Sequence, residues 1–233
     1  MQKVTEVRDE VLFPQRPDYL FDPEGWPQRI GDANEGRGGT VMVANDTGRF
    51  ALRQYRRGGL VARLLADQYL YTGAENTRCM REWRLLLEMT RIGLPVPVPA
   101  AARFIQSGLF YRASLVTRWI PDSETLAQRL TQRPLMSQHW HKLGGVIATF
   151  HQHGIYHADL NAHNVMLDAE SNWFLIDFDR GEQRERGKWQ LTNLGRLHRS
   201  LEKERGRMQA THWDRADWSA LLEGYAAVSD SVR

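Results

Sequence analysis

Two aspartates and an asparagine stand around one short apolar hairpin in a pattern suited to phosphoryl chemistry. HADLNAHN, residues 157–164, carries Asp159 and, five residues on, Asn164; LIDFDR, residues 175–180, carries Asp177. Val165–Leu167 and residues 173–176 are short apolar runs on either side of DAESN, which is a hairpin signature. Folding that hairpin back brings its two ends together, so Asn164 and Asp177 are expected to be neighbours. Their hard oxygen ligands suit Mg²⁺. Asp159, further along the loop, is placed to orient a hydroxyl nucleophile and accept its proton. Singly, each residue reads more naturally as a cap, a turn or a core position, and Asp168 is read as a turn residue. The joint pattern is what points to chemistry.

The elements around this pattern must hold it. From Ser137, Leu143, Val146, Ile147 and Phe150 recur as a helical apolar stripe, and Gly154 is a stop signal. After Lys188 a second helix is expected, with Leu191, Leu194, Leu197 and His198 on one face, and an amphipathic stretch runs from Trp213 to Tyr225. The front half reads differently. Residues 14–27, rich in Pro, Asp and Gly, are expected to wrap a surface without regular structure. TVMVANDTGRFALRQY is a strand, a turn and a strand. RCMREWRLLLEM is a helix ended by Gly93, and PVPVPAAARF leads into two further strands around Phe104 and residues 110–119. The expected fold class is α+β, with a β-rich lobe over residues 1–118 and a helical lobe over 119–233 that carries the loop and metal site.

Composition narrows the classes. The chain has 233 residues, 42% hydrophobic and 25% charged, and no apolar run near the roughly 20 residues of a membrane span. Its start, MQKVTEVRDEVLF, has no signal-peptide h-region. The single cysteine, Cys79, excludes an internal disulfide or a multi-cysteine metal site and fits a reducing cytoplasm. Net charge is +3, yet Arg49, Arg53, Arg56, Arg57 and Arg63 cluster, as do Arg180, Arg184, Arg186, Arg196 and Arg199. These read either as a solvated basic face or as an anion-handling surface. No basic-aromatic stacking platform is interleaved with them, so nucleic acid is not expected as a partner.

His157, Asp159 and Asn164 resemble the HRD…N loop of protein kinases, with Ala158 where Arg is usual. Asp177-Phe178-Asp179 resembles their DFG segment, with Asp179 in place of Gly. The resemblance implies a bilobal protein-kinase-like fold. The missing loop arginine and the absence of an APE motif point away from protein substrates, toward small molecules or glycolipids. GRGGT, LRQYRRGGL, REWRLL, GLPVPVPAAAR, YHADLNAHNVMLD, WFLIDFDRG and WQLTNLGRLHRSL together resemble the 3-deoxy-D-manno-octulosonic acid (Kdo) kinases of the lipopolysaccharide core kinase group. This implies ATP and Mg²⁺ as cofactors and phosphorylation of a Kdo hydroxyl, expected at O4, on a lipid A precursor. It also implies peripheral work on anionic membrane, at the cytoplasmic face of the inner membrane. Arg53 stands where kinases carry the strand lysine; Glu82 is its expected partner, with Glu75 and Glu88 as alternatives. Gly36, Gly38 and Gly39 fit either a cover over the phosphates or a plain turn. RRGG, residues 56–59, with Leu60, Val61, Leu64 and Leu65 fits either acceptor and membrane contact or a surface turn leading into a core helix. The rivals are an aminoglycoside or heptose kinase of the same fold and a basic pseudokinase module.

Overall fold

Alternating apolar and polar residues turn the first half of the chain into an antiparallel sheet. The structure, a computed structural model, describes residues 2–32, 40–55, 68–207 and 212–230. Gly36, Gly38 and Gly39 lie outside the described residues, as do residues 56–59 and Leu60, Val61, Leu64 and Leu65. The chain divides into two compact units, residues 1–90 with 97–119 and residues 91–96 with 120–233. The architecture is α+β and protein-kinase-like, strand-rich in the first unit and helical in the second.

In the first unit the expected hairpin forms from β3 (Thr40–Asn45) and β4 (Gly48–Gln54), with Asn45 opposite Gly48. The sheet order is β1 (Gln2–Arg8), β6 (Pro99–Ser107), β7 (Phe110–Arg118), β4, β3 and β2 (Gln28–Asp32); β5 (Tyr69–Leu70) pairs with β7. Val43, Phe50 and Leu52 are buried in one cluster with Leu12, Phe13, Leu20, Phe21 and Trp26. Residues 14–27 thus lack helix and strand, as expected, yet their apolar anchors Leu20, Phe21 and Trp26 enter the core rather than lying on a surface. Helix α1 (Arg78–Arg91) buries Cys79, Glu82, Trp83, Leu86 and Met89, and Gly93 follows it with φ of 75°.

The second unit begins with α2 (Leu126–Gln132), an element the sequence reading did not anticipate. A capping box starts it, with Thr125 and Gln128 each accepting from the other's backbone N–H. Helix α3 (Ser137–Gln152) buries Leu143, Ile147 and Phe150 and ends before Gly154, whose φ is 72°. The hairpin pairs β9 (Val165–Leu167) with β10 (Trp173–Leu175), and β8 (Glu124–Thr125) lies beside β9. Asp168 accepts from the Asn172 backbone at 2.7 Å, the turn role expected of it. Two long helices follow, α4 (Trp189–Arg207) and α5 (Arg215–Asp230). Leu194 and Leu197 of α4 are buried, but Leu191 is 71% exposed, contrary to its expected place on the apolar face. In that first turn the Trp189 ring packs instead, edge-on to His151 and Tyr156.

Helices α3 and α5 touch backbone to backbone. A Cβ on Gly144 would stand 1.9 Å from the Leu221 carbonyl oxygen, and one on Gly224 would stand 1.9 Å from that of His141. Neither neighbour is a flexible side-chain tip, so the helices must separate to admit a methyl group. Gly144→Ala is therefore expected to lower stability by about 3 kcal/mol, the upper end for overpacking. Gly206→Ala, with nothing within 4 Å, should be neutral or slightly stabilising. Urea unfolding midpoints of the two variants check this contrast.

Candidate active site

The loop after α3 has no ladder of its own, so its polar groups are satisfied one by one. His157 is buried. The Asp159 backbone N–H donates to its Nδ1 at 3.1 Å, which leaves Nε2 to carry the proton and donate to the Ile176 carbonyl at 2.8 Å. Burial supports this neutral ring by pushing its pKa down. The Asp159 carbonyl accepts from Asn164 Nδ2 at 2.9 Å and from Asn161 Nδ2 at 3.0 Å. The Asn164 carbonyl accepts from the Ile176 N–H at 3.0 Å, extending the hairpin by one step beyond the Val165–Leu175 pair. Asn164 and Asp177 are thereby brought to the same end of the hairpin. Asp177 has φ of 64°, a left-handed turn, and the next residue, Phe178, is buried. The Phe178 ring stacks on Phe150 at 5.9 Å and lies 4.5 Å from the His157 ring.

Helix α4 holds the loop from outside. Asn193 Nδ2 donates to the His157 carbonyl at 2.6 Å. The Ala162 N–H donates to Ser200 Oγ at 3.1 Å, and His163 Nε2 meets Glu204 at 3.3 Å. Arg196 donates to Asp159 Oδ1 from Nε at 2.9 Å and also from Nη2. Residues 193, 196, 200 and 204 follow one helical face. Sequence reasoning singled out only Arg196 among them, and only as part of a basic cluster. Polar residues at this spacing look the same whether they face water or a loop.

Ala158, Asp159, Asp177, Asp179, Arg180 and Arg196 line an open cavity of about 150 Å³. That is room for a phosphoryl-sized group and a few waters. Asp159 and Asp177 are exposed there, whereas Asn164 is buried at the foot of the loop. Among the described residues no group of three or more His, Cys, Asp or Glu could hold a metal ion. The donors present nonetheless fit Mg²⁺, which takes one or two protein oxygens and completes its shell with phosphate and water. With Asn164 Nδ2 committed to Asp159, Oδ1 is the atom left to coordinate.

In the first unit, Arg53 pairs through Nη2 with Glu82, which is 2% exposed. Of the three candidate carboxylates Glu82 is thus the partner, while Glu75 pairs with Arg84. Tyr55, which sequence reasoning missed, donates its hydroxyl to the same Glu82 oxygen at 2.6 Å and accepts from Arg53 at 3.1 Å. The spacing Arg53-Gln54-Tyr55 was the available signal, since i and i+2 share a face of an extended chain. Burial pushes the Tyr55 phenol well up, so it stays a donor.

Residues 25–225 match the model of the lipopolysaccharide kinase (Kdo/WaaP) family. A 3-deoxy-D-manno-octulosonic acid kinase of Vibrio parahaemolyticus is 40% identical over 222 residues, 94% of this chain and 93% of the relative. One of Xanthomonas campestris pv. campestris is 44% identical over 219 residues, 93% of this chain and 87% of the relative.

A second buried histidine extends the clamp. His151 Nε2 meets Asn193 Oδ1 at 3.2 Å and Nδ1 meets the Tyr225 hydroxyl at 2.8 Å; burial pushes its pKa down to about 4. Its folded value lies below its ordinary 6.5, so the unfolded chain binds the extra proton between the two. This stability is complete above pH 6.5 and drains away as pH falls toward and through about 4, with His157 acting in the same direction. Each histidine contributes a slope of at most about 1.4 kcal/mol per pH unit. Urea midpoints measured from pH 7 down to pH about 4.5 should fall less steeply in His151→Gln than in the parent, because one of the two histidines no longer titrates.

Proposed function

We propose that this chain, which belongs to the lipopolysaccharide kinase (Kdo/WaaP) family and is a phosphotransferase acting on an alcohol group, transfers the γ-phosphoryl group of ATP to a Kdo hydroxyl, O4, on a lipid A precursor. The observation that carries the reading is the opening of Asp159 and Asp177 into one cavity, with Asn164 bonded to the Asp159 carbonyl and to the residue before Asp177.

Arg196 occupies only Oδ1 of Asp159, so Oδ2 is the atom for the acceptor hydroxyl. As the new bond from that hydroxyl oxygen to phosphorus forms, the β–γ bridging bond breaks, ADP leaves and the hydroxyl proton passes to Asp159. The backbone bond from Asp159 to His157 and the two amides on its carbonyl hold the backbone that carries the carboxylate. Mg²⁺, for which Asn164 and Asp177 are the fitting ligands, supplies neutralisation of phosphate charge when bound. Arg53, bonded to Glu82 and Tyr55, presents a guanidinium that suits phosphate oxygens. A lipid-borne acceptor calls for peripheral attachment to anionic membrane at the cytoplasmic face of the inner membrane. No described helix is long and apolar enough to cross a membrane.

The test is incubation of the protein with Mg-ATP and Kdo-lipid A, with mass spectrometry for an added phosphate and NMR to locate it on O4. Asp159→Ala is expected to lower turnover about 100- to 10,000-fold while circular dichroism stays unchanged. Parent-like turnover in that variant would remove Asp159 from the role of base. Chelation should abolish transfer and Mg²⁺ should restore it; transfer that persists in chelator would sink the roles given to Asn164 and Asp177.

A further inference from the structure

The ion pair between Arg196 and Asp159 is unlike the others around the loop. Both side chains are about half exposed, at 48% and 54%. A pair that exposed adds little to stability and exchanges partners readily. Arg196 spends two N–H groups on a single oxygen, so three of its five donors remain unspent among the described residues. Arg180 lines the same cavity and has no ion-pair partner among the described residues. Two guanidiniums with open donors therefore stand beside the very carboxylate that must touch the acceptor. Because Arg196 is bonded to the base itself, a group within its reach lies on the acceptor's side of the reaction.

We propose that Arg196 is the specificity-determining residue that binds the carboxylate of the acidic sugar. Asp159 holds it in place beforehand, and Arg180 offers a second donor fork. This rests on the reading of the chain as a kinase of a Kdo-bearing acceptor. A carboxylate matches a guanidinium fork with two parallel bonds, which the single Asp159 oxygen does not. When the acceptor's carboxylate takes Arg196, Asp159 loses a competing positive partner as its substrate hydroxyl arrives. A neutral sugar leaves the base engaged, so the exchange favours acidic acceptors.

The experiment compares Kdo-lipid A with the same acceptor carrying its Kdo carboxylate as a methyl ester, in the parent protein and in Arg196→Gln. The parent should prefer the acid about 10- to 100-fold in kcat/KM, the scale of a charge-assisted hydrogen bond. Arg196→Gln should lose most of that preference, Arg180 keeping the remainder, with its KM for the acceptor raised and its KM for ATP within about twofold of the parent's. Arg196→Lys should recover part of the preference through charge alone. Discrimination as large in Arg196→Gln as in the parent overturns the proposal, as does a KM change confined to ATP, which would make Arg196 a nucleotide ligand. Both outcomes leave Kdo phosphorylation standing. Absence of any transfer by the parent removes that reading and the anchor with it.

Discussion

A buried carbonyl with no ladder partner must find a donor, and the His157 carbonyl finds Asn193 at 2.6 Å. That bond is the central link of a longer chain. Asn193 also reaches His151, His151 reaches Tyr225, and on the other side His157 reaches both Asp159 and Ile176. The result is one polar chain that links α5, α3, α4, the loop and the strand leading to Asp177. Such networks strengthen when every member is satisfied and become costly when one is not. His157 must be neutral for its part, because its Nδ1 accepts from the Asp159 N–H while its Nε2 donates to the Ile176 carbonyl. Burial favours the neutral ring in both histidines.

The two ion pairs that matter differ in kind. Arg53 and Glu82 have side chains 20% and 2% exposed, and Tyr55 shares the carboxylate. Removing one member of a buried pair strands the other, typically at a cost of about 3–5 kcal/mol. That pair is fixed architecture for the first unit. Arg196 and Asp159 lie open to water, and exposed pairs contribute about 0–1 kcal/mol. Of these two arginines, Arg53 is locked and Arg196 is open to a change of partner.

The chemistry-bearing pattern was legible because it is local: a loop, a short hairpin and a turn within residues 157–177 set their own geometry. The same holds for the β3–β4 hairpin and for α1, where turn residues and helix formers act over a few positions. What stayed hidden depended on partners far along the chain. Strand β1, QKVTEVR, is mostly polar, and among the described residues it pairs with β6 alone. Residues 14–27 look like a surface wrap by composition, and only the packed structure shows Trp26 against Phe13 and Phe50. Asn193, Ser200 and Glu204 are polar residues on a helix, and nothing local distinguishes a face turned to a loop from one turned to water. Helix α2 did carry a local sign, the Thr125–Gln128 capping box, which went unread.

The glycine contact between α3 and α5 has a consequence for the order of synthesis. Gly144 belongs to the helix that delivers the loop, and its partners Leu221 and Tyr225 are made some eighty residues later. While the chain is being translated, α3 and the loop emerge first and must wait with the glycine face uncovered and His151 short of Tyr225. Helix α4 can form meanwhile, but the polar chain closes only when residues 215–230 have emerged. A ribosome stalled before that point therefore carries every residue of the site but lacks the α5 contacts that complete the polar chain behind it.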